Sequence, residues 1–386
     1  MLVSAAEKIR VAAQLRSAIE IAFAHWSDVP DFVFESEFDH WIENVAAIDD
    51  RRDFSLATIK FVAAFRNGHT AFNDRWLWRT QGHPMGFAIK KLQDNWVVTS
   101  TSVPNLLPGD CPSSIDGEAI SVWAERIAPY VSASTEWSRS EAIFSRCYLL
   151  PTQFELELVD GRRLWIERGK WSIERSMSPS LVVSPIPVLR IPSFASQSYE
   201  EEAIEIVGKI SDRSALIIDI RGNGGGNTPT RLLASLMDRP YTSWAEETPS
   251  HSGLHYAFGE RPESLRYSAR VSAPANGAFR GNIAILADAS TGSAAEDFLV
   301  PFKLNGRAII VGRTTAGTSG QPFVKDFGND MVLSVGSKRE IFPDGSQFEG
   351  VGIAPDVLVE LAADDIRRGT DQDRAHAVNA LFSPSW

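Results

Sequence analysis

Ala215-Leu-Ile-Ile-Asp219-Ile-Arg221-Gly-Asn-Gly224-Gly225-Gly226-Asn227 is a short apolar run that ends in an acid, a base and a cluster of glycines. Leu216 to Ile220 is β-branched and bounded by turn residues, which predicts a strand buried on both faces; Thr228-Pro229 then opens a helix. The glycines therefore occupy a strand-to-helix corner, where backbone N–H groups can face an anion or a developing oxyanion. Nucleotide readings of the corner are weak: Asn227 stands where a dinucleotide fingerprint needs its third glycine, and no Lys-Ser or Lys-Thr follows. A corner rich in glycine only to make a tight turn is the plain alternative, and the run alone does not separate the two.

Working outward, the same design recurs. Upstream lie a strand at Val188–Ile191 and a helix from Tyr199 to Ile210; downstream come a helix at Thr230–Met237, a strand at Ile283–Ala287 and another at Ala308–Gly312. Strands alternating with helices predict an α/β fold with a mostly parallel sheet covered by helices. Asp288-Ala-Ser290-Thr-Gly292-Ser293-Ala-Ala-Glu296 repeats the strand, small-residue turn and helix order, and Thr314 to Gly320 is a polar loop. The segment 241–276 has no clear periodicity and is read as a lid or an oligomer contact.

The preceding chain divides in two. Residues 1–80 carry helical periodicity broken at Asp28-Val-Pro30-Asp31, and a helix over Ser55–Phe65 stops at Arg66-Asn67-Gly68, immediately before His69-Thr70. Residues 81–177 change to short strands, with turns at Pro108-Gly109-Asp110 and Asp116-Gly117 and a hairpin over Phe154–Glu167. That order resembles a PDZ domain, with Met85-Gly86-Phe87 at the place of the loop where a peptide is captured and added as a strand. Pro-rich 178–187 leads into the third region, 178–386.

A net charge of −11 without a basic run argues against nucleic acid as a partner, and two cysteines, Cys111 and Cys147, are too few for a disulfide scaffold or a Cys-based metal site. The amino-terminal stretch is amphipathic rather than uninterruptedly apolar, so neither a signal peptide nor a membrane span is expected, and a cytoplasmic location fits.

Ser293 precedes a predicted helix, and Glu296 three residues on gives it capping-box spacing. The same position suits a nucleophile: Gly292 and Ala294 leave room for substrate, and the Ala294 N–H at a helix start can face negative charge. A second donor from Gly224 or Gly225 would complete an oxyanion hole if the two strands lie side by side.

Four ordered blocks, Leu216–Gly226, Thr291–Glu296, Asn305–Gly312 and Phe348–Asp356, make the region Val188–Val359 resemble the carboxy-terminal processing (tail-specific) serine peptidases and their relative, the core protease of tricorn. The resemblance implies a core of stacked ββα units shared with the Clp protease and crotonase folds, a hydrolase acting on extended or unfolded polypeptide, and no cofactor or metal. It places the nucleophile at Ser293. The lysine base of the tail-specific branch falls on Thr318 and is missing. Asn67-Gly-His69-Thr resembles the Asp-Gly-His-Thr pattern of lysine-lacking relatives, so His69 is the implied base, with Glu349 as its support and Thr70 as a further hydroxyl. Three alternatives stay open: an inactive peptide-binding scaffold, a Ser-Lys peptidase using Lys325 or Lys338, and an acyl-CoA enzyme with the same glycine corner.

Overall fold

The computed structural model describes residues 1–174, 176–260 and 262–383; residues 384–386 of the third predicted region, and residue 175 of the second, lie outside the described residues. All five residues of the corner strand, Ala215–Asp219, are buried. It pairs in parallel with Val188–Arg190 on one side and with Asn282–Ala287 on the other. Ile309–Gly312 and Val357–Leu358 extend the sheet in parallel, and Ser180–Val182 closes the far edge antiparallel, giving six strands.

Burial on both faces explains the unbroken apolar run. Leu216 and Ile218 pack among side chains of three helices, Gln197–Lys209, Thr230–Leu236 and Ala294–Asn305. Ala215 and Ile217 face the opposite side, against Ala377 and Leu381 of the helix Gln372–Leu381. Because Asp219 is in register with Leu286, the glycine corner and the turn leading to Ser293 leave the sheet at the same edge.

The second region is a hairpin of Phe87–Leu92 with Asn95–Thr101 beside a four-stranded sheet that contains the predicted hairpin, Gln153–Leu158 with Arg163–Glu167. Its strands and the helix Ile120–Ile127 share one apolar core.

In the first region, Ala5–Ala22, Phe34–Ala46 and Arg51–Ala63 are helices, as the periodicity predicts. They do not form a self-contained unit. The strand Ala71–Asp74 pairs antiparallel with Met331–Gly336, which in turn pairs with Pro322–Gly328. Phe327, Leu333 and Val335 of that hairpin share a core with Phe54 and Phe65. The first and third regions are thus packed together, since the apolar face of the first helices is covered by residues more than 250 positions later. Arg51 fastens the join: its guanidinium, 1% exposed, bonds both oxygens of Asp74, at 2.7 and 2.9 Å, and the Asn329 carbonyl at 2.5 Å.

In the segment 241–276, of which residue 261 lies outside the described residues, short antiparallel strands flank the helix Gly253–Phe258. Tyr241–Thr242 pairs with Val271–Ser272, and Ala245–Ser250 lies between Glu263–Tyr267 and Arg339–Ile341. Glu263–Tyr267 is exposed at every position, so no alternation of apolar and polar residues marks it in the sequence. Among the described residues no helix is long and apolar enough to cross a membrane.

Candidate active site

Ser293 stands between the sheet and the helix Ala294–Asn305 with φ 56° and ψ −129°, a backbone conformation that costs a non-glycine residue on the order of 1–3 kcal/mol. The surrounding bonds hold it there. Its N–H reaches the Thr318 carbonyl at 2.9 Å and Glu296 Oε2 at 3.2 Å, while the Gly292 N–H is held by the Asn223 carbonyl at 3.0 Å. Only half of a capping box forms: the Glu296 N–H bonds the Ser293 carbonyl at 2.6 Å instead of the hydroxyl. The hydroxyl is left for His69, whose Nε2 lies 3.0 Å from Ser293 Oγ.

Burial lowers the His69 pKa to about 4, with the positive fields of His25 and Lys338 in the same direction and the Ser319 backbone opposing them. The ring is therefore neutral at pH 7 and able to accept a proton. Nδ1 is buried and makes no well-formed hydrogen bond.

Glu349 is buried and does not bond the imidazole. Its Oε1 accepts from Asn67 Nδ2 at 2.9 Å and from the Ser134 hydroxyl at 2.6 Å, and its Oε2 accepts from the N–H and hydroxyl of Ser319 at 2.5 and 3.0 Å. Asn67 completes the connection, since its Oδ1 accepts the backbone N–H of His69 at 3.1 Å. Thr70 joins the same network rather than the ring: its hydroxyl donates to Asn67 Oδ1 at 3.0 Å and accepts the Gly336 N–H at 3.0 Å.

Thr318, at the position of the absent lysine, bonds Ser134 Oγ at 2.7 Å. It also explains Gly68, because a Cβ there would lie 2.2 Å from Thr318 Oγ1. Of the alternative lysines, Lys338 is ion-paired to Glu246 and Glu340, each at 2.8 Å, and although burial pulls its pKa down these carboxylates raise it overall, so it is a cation and not a base. Lys325 lies on the strand Pro322–Gly328 and makes no hydrogen bond to Ser293.

The parallel pairing of the two strands brings the glycine corner against the nucleophile. A Cβ on Gly225 would fall 2.7 Å from Ser293 Cβ and 2.9 Å from the Ala294 nitrogen, so only glycine permits this approach. The expected donors differ in what they can offer. Gly225 has its N–H committed to Asn223 Oδ1 at 2.9 Å, which corrects its reading as an oxyanion donor: it contributes closeness instead. Among the described residues, the N–H groups of Gly224 and Ala294 have no hydrogen-bond acceptor. Arg221 secures the corner from behind, bonding Asp219 at 2.7 Å and also Asp371 and Asp373 beside the last helix, at 2.8 and 2.9 Å.

Below the nucleophile, Glu296 is fully buried and accepts from the Thr315 hydroxyl and from the N–H groups of Gly317 and Thr318 at 2.8 and 2.9 Å. Burial nonetheless pushes its pKa up to about 8, and the charge of Glu349 adds to the rise. Asn67, Ser134 and Ser319 are the site residues that sequence reasoning left without a role. Asn67 lay inside the quoted His69 motif, whereas Ser134 and Ser319 carry no local signal.

Met85 and Phe87 of the predicted peptide loop have buried side chains, with Gly86 between them at φ +84°. The loop opens a groove of about 430 Å³ bounded by Ile89, Lys90, Phe144, Ser145 and Ser290, the last of these three residues before the nucleophile. Among the described residues, no group of three or more His, Cys, Asp or Glu side chains is placed to hold a metal ion.

The chain is similar in fold to several solved structures. The structure of mature CPAF complexed with lactacystin superposes with a TM-score of 0.75 at 14% identity, over 97% of both chains. The photosystem II D1 C-terminal processing protease gives 0.56 at 17% identity over 99% of both chains. At these identities the likeness is one of fold, a mixed α/β fold shared along the whole chain. Residues 185–359 match the model of peptidase family S41.

Proposed function

We propose that the chain is a serine peptidase in which Ser293 is the nucleophile and His69 the general base, cutting extended or unfolded polypeptide. The observation that carries this reading is the 3.0 Å contact between His69 Nε2 and Ser293 Oγ, made by a neutral imidazole and a hydroxyl that makes no other hydrogen bond among the described residues. Ser293 Oγ bonds to the peptide carbonyl carbon as His69 Nε2 takes the hydroxyl proton. The N–H groups of Ala294 and Gly224 hold the resulting oxyanion. Collapse breaks the C–N bond, and His69 returns the proton to the leaving amine. Water then attacks the acyl-enzyme, giving a proton to His69 that passes back to Ser293.

Glu349 acts on His69 at one remove, through Asn67, as a lysine-lacking S41 site would require. The core is of the stacked ββα type shared with the Clp protease and crotonase. A PDZ-like second region supports the choice of substrate. Strand Phe87–Leu92 has a single ladder partner among the described residues, leaving an edge beside the groove on which an extended chain could add.

Labelling with a fluorophosphonate probe tests the proposal. Wild type should be marked, Ser293→Ala should not, and His69→Ala should react far more slowly. A silent wild type that also leaves denatured casein uncut would refute it and favour a scaffold.

A further inference from the structure

Lys90 belongs to the second region, yet its ammonium lies 3.1 Å from Asp288 Oδ2, next to the nucleophile turn, and 2.6 Å from Glu141 Oε2. Asp288 is 4% exposed. Its Oδ1 accepts the N–H of Gly222 at 2.9 Å, the N–H of Ser290 at 3.1 Å and the hydroxyl of Thr291 at 3.3 Å. Gly222 opens the glycine corner, two residues before Gly224, whereas Ser290 and Thr291 lead into Ser293. One carboxylate thus ties together the two backbone segments that supply the candidate oxyanion donors. Glu141 reinforces the link by accepting the Ser290 hydroxyl at 3.1 Å.

We propose that Lys90 is a positioning residue for the oxyanion site: its ion pair with Asp288 keeps that carboxylate aimed at both segments and so sets the gap between the Gly224 and Ala294 N–H groups. Burial alone would push the Asp288 carboxyl up, but the Lys90 charge and the Gly222 N–H hold it below its ordinary value. A neutral side chain at 90 would remove the nearest compensating charge and leave the carboxylate free to turn or to protonate. Either change loosens the spacing of groups that act on the transition state more than on the bound substrate, so the effect belongs in kcat. The role extends the serine-peptidase reading and rests on it.

The test compares wild type with Lys90→Met, Lys90→Arg and, as a control, the exposed and remote Lys209→Met, by kcat and KM on fluorescently labelled denatured casein and by the rate of fluorophosphonate labelling. Lys90→Met should lower kcat by about tenfold or more while KM stays within about twofold, a loss of the kind seen when oxyanion contacts are disturbed. Lys90→Arg should recover most of the rate, and Lys209→Met should match wild type. Should Lys90→Met not fold, Lys90→Gln, which keeps a hydrogen-bond donor but no charge, carries the same expectation. An active wild type with unchanged kcat in the neutral variant, or with KM alone raised, overturns the role of Lys90 and leaves the peptidase reading standing. A wild type silent toward both probe and casein overturns both.

Discussion

Glu349 is linked to His69 through Asn67, whose amide nitrogen donates to the carboxylate at 2.9 Å while its oxygen accepts the His69 N–H at 3.1 Å. The carboxylate thereby fixes the backbone that carries the base and leaves the ring to Ser293. Asn67→Ala should cut kcat by about a hundredfold, the scale of a small displacement of a reacting group, with little change in KM. Glu349→Gln should do less, since a neutral amide still accepts through its oxygen. Steady-state rates on denatured casein distinguish these outcomes; equal and negligible losses would remove Asn67 from the mechanism.

Gly68 and Thr318 are a second coupled pair. A Cβ at 68 would meet Thr318 Oγ1 at 2.2 Å, so Gly68→Ala should destabilise the fold by about 1–3 kcal/mol and slow the labelling of Ser293. Thr318→Ala removes the obstacle, and the double variant should recover part of the stability. Urea unfolding of the two single variants and the double variant measures the coupling, and strict additivity would show that the two side chains do not meet.

Two buried groups give opposite pH signatures. His69 has an ordinary value of 6.5 and a folded value of about 4, so over that interval the unfolded chain binds a proton the folded chain refuses. Its contribution to stability is full above 6.5 and fades as pH falls toward 4, where probe labelling should also fail. Glu296 moves the other way, from 4.5 to about 8, so its contribution is full below 4.5 and is lost as pH rises through 8. Unfolding free energies measured from pH 5 to about 9 should show a smaller alkaline decline in Glu296→Gln than in wild type.

Arg51 and Asp74 form a fully buried ion pair, 1% and 0% exposed, at the join between the first helices and the hairpin Pro322–Gly328 with Met331–Gly336. Arg51→Met leaves Asp74 uncompensated and should cost about 3–5 kcal/mol in chemical denaturation. Asp74 also accepts from the Ser55 hydroxyl and from the N–H groups of Trp76 and Leu77, so the loss should extend to the helix Arg75–Gln81.

The glycine corner and the turn before Ser293 were legible in the sequence because each is local: an apolar strand, small residues, then a helix start. The parallel sheet followed from their repetition. Asn67 was visible but had no assigned role, since its partner Glu349 lies 282 positions away and only the folded chain brings them together. Ser134 and Ser319 were hidden for the same reason: they enter the site from loops with no motif. The reading of Gly225 as a donor failed on a neighbour, Asn223, whose side chain takes that N–H; composition cannot show where a side chain turns. The segment 241–276 escaped because its strands are short and exposed, and periodicity reports only segments that have one buried face.

The pairing of Ala71–Asp74 with Met331–Gly336 bears on when activity can arise. During synthesis His69 emerges early and Ser293 much later, yet the strand that holds the histidine in place is made later still, and Glu349 after that. A polypeptide ending at residue 330 contains both reacting residues but should be unreactive toward a fluorophosphonate. Dependence of the His69 segment on a strand made so much later would thus act as a safeguard, withholding the proposed activity from chains cut short during synthesis.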